Sequence, residues 1–277
     1  MTFGQHPNHP RAGIAGWWSI FLRALALYVA GILLLLATGN ASLFPTVVIL
    51  GNFLVPATYV AFFYEHRHLS PLSVPTTAMS FIYGGVLGVF AAAILEPLFI
   101  DQLGFSTAFV VGLIEEFGKV LGVWVMARER RHESELEGMI LGFAAGTGFA
   151  AFESTSYAFG AFVRSGGILS FRVLRIVFRG LLAPLGHAAW TALLAGVLFH
   201  ETRKGRFRLT LRVFGAYLFV VVLHGLWDGL AYRIASTLGL SLGLVLLAAV
   251  SVGAFWWRWQ AATRPGEEKP PPDLAVN

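Results

Sequence analysis

No cysteine occurs among the 277 residues, so disulfides, thiolate metal ligands and a cysteine nucleophile are all excluded. Charge is scarce too. Only 13% of residues are Asp, Glu, Lys or Arg, against about 25% in an ordinary soluble domain. What fills the chain instead is apolar: 56% of residues are hydrophobic and the mean hydropathy is +0.70. These residues come in long runs, which identifies a polytopic membrane protein. The net charge of +5 does not point to nucleic acid, because the arginines cluster between apolar runs as topology signals do.

Spans of about 20 or more apolar residues recur over 16–38, 44–64, 78–99, 105–127, 138–163, 173–200, 210–232 and 238–261. The expected fold is therefore all-α, a bundle of about eight transmembrane helices. Residues 1–14, with His6, Pro7, His9 and Pro10, read as a disordered lead. No small-residue cleavage site follows the first run, so that run does not read as a secretory signal. Residues 262–277 read as a disordered tail, and 15–261 as one helical domain. The lead, the even-numbered loops and the tail carry Arg11, Arg67, Arg128, Arg130, Arg131, Arg203, Lys204, Arg206, Arg208, Arg212, Arg264 and Lys269. That bias predicts a multi-pass protein of the plasma (inner) membrane with both termini cytoplasmic. Arg164, Arg172, Arg175 and Arg179 in and after the fifth loop run against it.

The informative stretch is Glu115-Glu116-Phe117-Gly118-Lys119, inside an otherwise apolar span. Each charge at the bilayer centre costs roughly 2.5–3.5 kcal/mol on insertion scales, so this group needs partners, water or a metal. Lys119 lies at i+4 from Glu115 and i+3 from Glu116, and one lysine neutralises one carboxylate. The next span carries small residues every fourth position, Gly138, Gly142, Gly146, Ala150, Ser154 and Ala158. Such a stripe lets a neighbouring helix approach closely, which turns Glu153 toward protein. Further on come His187, three residues after Pro184, then His224 and Asp228 at i and i+4 on one face. Counting about 1.5 Å per residue from each outer end places Glu115 and Glu153 roughly 15 Å deep, His187 about 20 Å, His224 about 12 Å and Asp228 about 6 Å. Antiparallel helices thus bring these groups toward one layer. Two other polar positions read as structural: Glu96, beside Pro97 near a helix end, and His200-Glu201, which lacks the second histidine of H-E-x-x-H because residue 204 is lysine.

The ordered set Glu115-Glu116-x-x-Lys119, Phe149-x-x-x-Glu153, His187, and His224-x-x-x-Asp228 resembles the PrsW family of bacterial intramembrane proteases. These are relatives of the CAAX-processing and bacteriocin-immunity (Abi) membrane proteases. The resemblance covers the fourth to seventh helices and implies a peptidase that cuts membrane-embedded or membrane-adjacent proteins, including single-span substrates. The chemistry of the residues agrees. Imidazoles and a carboxylate suit zinc with a position left for water, and Glu153, His187 and His224 would supply them. Glu115 or Glu116 would act as the base, Glu115 being preferred; Lys119 would orient the other carboxylate, and Asp228 would be a fourth ligand or a partner of His224. A metal-free variant, in which glutamates activate water directly, fits the same residues. Two other classes stay open here. A proton or cation pathway also places acids and histidines at the midplane, although the first three spans hold no counterpart of the acidic motifs. A silent scaffold for single-span partners would leave the buried charges without a purpose.

Overall fold

The computed structural model describes residues 16–66, 69–128, 134–168, 171–202 and 206–264. The expected disordered lead and almost all of the expected tail lie outside that range. Among the described residues eight α-helices follow in order: α1 (Trp17–Thr38), α2 (Phe44–Glu65), α3 (Val74–Phe99), α4 (Thr107–Ala127), α5 (Glu135–Arg164), α6 (Phe171–His200), α7 (Leu211–Gly229) and α8 (Thr237–Ala262). No strand occurs among these residues. The fold is an all-α polytopic membrane bundle.

Local chemistry sets several helix ends. Gly39 closes α1 in the left-handed region at φ 62°, where a side chain would be strained. Ser73 opens α3 by accepting the Thr76 N–H at 3.2 Å, four residues before the expected start, and Pro75 occupies its first turn. Thr210 and Ser236 cap α7 and α8 in the same way. The seventh span ends earlier as α-helix than expected, and finishes in a 3₁₀ turn over Leu230–Tyr232. Helix α6 runs unbroken through Pro184, although that ring removes one N–H from the ladder.

Among the described residues, six segments are long and apolar enough to cross a membrane by length and composition: α1, Ala41–Glu65, α3, Leu182–His200, Leu211–Tyr232 and Leu238–Ala262. Helices α4 and α5 miss that standard for reasons that matter. Three charged residues interrupt α4, and glycine replaces aliphatic bulk along α5. At about 1.5 Å per residue, both are still long enough to span the roughly 30 Å hydrocarbon core. They tolerate these charges and glycines because neighbours shield them: α4 packs on α3 and α7, and α5 on α6, α3 and α2. The gradient is steep. In the apolar segment of α6, 83% of residues are buried, against 6% in that of α8. So α5 and α6 form the interior, and α1 and α8 are the most open to lipid.

Glycine sets how closely these helices approach. A β-carbon at Gly138, Gly142 or Gly146 would run into the backbone carbonyl of Ala195, Thr191 or His187, so the small-residue stripe of α5 lies flat against α6. A second set joins α3 to its neighbours. Gly84 meets Ala145, Gly148 meets the Phe81 carbonyl, and Gly118 and Gly122 of α4 meet the backbone of Gly88 and Gly84. Close packing of this kind replaces the hydrophobic drive that lipid removes.

Candidate active site

The centre of the cluster is the Lys119 ammonium, which is fully buried. Its Nζ donates to Glu116 Oε1 at 2.8 Å, to Glu115 Oε2 at 3.3 Å and to His187 Nδ1 at 2.9 Å. Those three bonds use its three N–H groups. The ammonium also lies 3.8 Å from the centroid of the Phe149 ring, a cation–π contact. Gly88 keeps this space open, because a β-carbon there would press on both Phe149 and the lysine stem.

The two glutamates differ in what they have left to give. Both oxygens of Glu116 are engaged: Oε1 accepts from Lys119 and from His224 Nδ1 at 2.9 Å, and Oε2 accepts from Thr191 Oγ1 at 3.3 Å. Glu115 Oε2 faces Lys119 on one side and His224 Nε2, at 3.3 Å, on the other. His224 Nε2 also lies 3.2 Å from Asp228 Oδ2, one turn along α7. On the opposite side of the cluster, His187 Nε2 lies 3.5 Å from Glu153 Oε2. The imidazoles stand 5.0 Å apart at 79°, and Trp190 stacks on His224. The cluster is sealed on its Lys119 side. Glu153 and Asp228, with side chains 10% and 23% exposed, form its more open edge.

One test of metal binding is whether buried donors lack a better partner. His187 Nε2 and His224 Nε2 are both buried and make no well-formed hydrogen bond, despite the carboxylates near them. The donor atoms of Glu115, His187 and His224 lie within 4.8 Å of one another. A tetrahedral ion with bonds of about 2.0–2.1 Å sets its ligand atoms about 3.3 Å apart; within this group Glu115 Oε2 and His224 Nε2 are 3.3 Å apart, and His187 would have to draw in to complete it. His224 fits this role completely, since giving its Nδ1–H to Glu116 leaves the Nε2 lone pair free. At His187 the ammonium on Nδ1 leaves the ring proton on Nε2, facing Glu153, so ligation through Nε2 requires the other tautomer, with the proton on Nδ1 and the Lys119 bond given up. The residues fit a divalent ion of the kind that accepts nitrogen and oxygen donors.

All seven side chains singled out from the sequence lie in one connected cluster. Glu115, Glu116 and Lys119 come from α4, Glu153 from α5, His187 from α6, and His224 and Asp228 from α7. Glu96, read from the sequence as an interfacial structural residue, is half-buried near the end of α3, with Oε1 buried and without a hydrogen-bond partner. His200 and Glu201 sit at the other end of the bundle in ion pairs with Glu135 and Arg212. Sequence reasoning passed over Thr191 and Trp190. Their signal was spacing from His187, at i+4 and i+3 on the same face of α6. It also missed the glycines of α3 and α4.

A family model described as PrsW family intramembrane metalloprotease matches residues 73–255, from the cap of α3 into α8. No curated protein and no solved structure matches the chain.

Proposed function

The chain belongs to the PrsW family of intramembrane metalloproteases, and we propose on that premise that it cleaves single-span or membrane-adjacent protein substrates by attack of an activated water. Zinc is the proposed ion, with Glu115, His187 and His224 as its ligands. The convergence of their donor atoms in a buried cluster is the observation that carries this reading. When bound, such an ion supplies the Lewis acid that polarises the scissile carbonyl and acidifies water.

The remaining roles follow from the surroundings of each side chain. Glu153 stands at the more open edge, beside His187, and is proposed as the base that takes the water's proton and returns it to the leaving amine. This exchanges the roles expected from the sequence, where Glu153 was the ligand and Glu115 the base. What supports the exchange is the position of Glu115 Oε2 at 3.3 Å from His224 Nε2. Both oxygens of Glu116 already accept hydrogen bonds, and its role here is to hold His224 in place. Lys119 donates to both α4 carboxylates and neutralises one of the two charges, and Asp228 is the candidate fourth donor beside His224.

The test is metal content beside cleavage of a single-span reporter in purified variants. Glu153→Gln should keep its metal and cut nothing, because an amide cannot take the proton. Glu115→Gln should lose metal and activity together. The opposite pattern would restore the roles expected from the sequence. The plasma membrane, with both termini on its cytoplasmic side, is the proposed setting, supported by the arginine-rich loops.

A further inference from the structure

Trp190 forms the aromatic wall of the cluster. Its fully buried indole stacks on His224, with centroids 4.9 Å apart and planes at 27°, and meets His187 edge-on at 5.2 Å. One ring therefore borders both imidazoles. Room for it depends on Gly186, where a β-carbon would come within 2.7 Å of the indole. The far edge of the ring is tied as well. Trp190 Nε1 donates to Ser251 Oγ at 2.8 Å, and the Ser251 hydroxyl donates to the Leu247 carbonyl at 2.7 Å.

Ser251 belongs to α8, the helix most open to lipid. Among the described side chains of α8 it is the one that is fully buried. A wall that served packing alone would need only an apolar ring. Burying an indole N–H in a membrane instead demands an acceptor, and here that acceptor fixes the rotation of the ring about its own side-chain bond. An indole free to turn would no longer present one face to His224 and one edge to His187.

We propose that Trp190 and Ser251 are positioning residues that set the orientation of the two site histidines, and so couple α8 to the reacting centre. The proposal rests on the proteolytic reading of the cluster for its kinetic consequence, but its geometric content does not. Loss of an outer-shell partner of this kind costs on the order of 10–100-fold in activity. Ser251→Ala and Trp190→Phe should both remove the tether, whereas Ser251→Thr keeps a hydroxyl.

Two measurements on detergent-solubilised full-length protein test it. In metal-free protein labelled with ¹³C-histidine, the His224 ring protons should lie upfield in the wild type because of the stacked indole. They should move toward ordinary values in Ser251→Ala and Trp190→Phe, and return in Ser251→Thr. With the same single-span reporter, kcat should fall at least tenfold in the first two variants and recover in the third while KM stays near wild type; Ser251→Ala, which strands the buried indole N–H, should also melt somewhat lower, so kcat is read well below each variant's melting temperature. Unchanged His224 resonances in Ser251→Ala, or a kcat within twofold of wild type, would overturn the proposal. So would a loss of kcat that only follows a fall in melting temperature. If the wild type cuts no reporter, the protease reading fails by itself, and the resonances alone decide whether Trp190 and Ser251 set the histidines.

Discussion

Lys119 is the residue on which the cluster balances. Its ammonium touches two buried carboxylates and a buried imidazole. Removing one partner of a buried ion pair leaves an uncompensated charge, at a cost of about 3–5 kcal/mol. Lys119→Met should therefore melt well below wild type and cleave nothing. Adding Glu116→Gln should recover part of the lost stability, since it removes one of the two stranded charges, without recovering activity. Thermal unfolding of the single and double variants measures this, and strict additivity of the two losses would contradict the coupling. At this scale the sequence was partly legible. Spacing along one helix related Lys119 to Glu115 and Glu116, and His224 to Asp228, because helical periodicity is a local property. That His224 Nδ1 would bond Glu116, and Lys119 would reach His187, depends on how helices are turned about their axes. No single run of residues carries that information.

Helix packing shows the same division. The stripe from Gly138 to Ala158 was readable because it repeats every fourth residue along one helix. Its partner was not readable, and proves to be α6 at the turn of His187. Gly84 and Gly88 continue a comparable every-fourth-residue spacing from Thr76 and Ser80, so that repeat was legible as well but was passed over; which helices it faces emerges only where α3 meets α4 and α5. A side chain at Gly146 must displace the His187 carbonyl. Gly146→Leu should thus cost about 1–3 kcal/mol or more by overpacking and abolish cleavage by moving His187. A β-carbon at Gly253 on α8 would meet nothing within 4 Å, so Gly253→Leu should leave melting temperature and activity unchanged. A stable, active Gly146→Leu protein would mean that α5 and α6 are less closely apposed than their glycine contacts require.

For the molecule as a whole, composition alone specified an all-α membrane bundle, because 20-residue apolar runs have few other fates. The apolar pattern is interrupted at α4, by charge, and at α5, by glycine, the two helices that furnish Glu115, Glu116, Lys119 and Glu153. Function has replaced aliphatic residues there, and the surrounding helices supply the shielding. The topology has a direct check, helped by the absence of native cysteine. In intact cells, Asp101→Cys should react with a membrane-impermeant thiol reagent and Arg206→Cys should not; the reverse pattern would invert the orientation. Whether the buried cluster works as a metal centre is decided by removing the metal. Purified protein should carry about one zinc per chain, lose cleavage of a single-span reporter in excess chelator, and regain it when zinc is restored. Full-rate cleavage by protein shown to be free of metal would contradict that role, and would leave the buried glutamates to activate water alone.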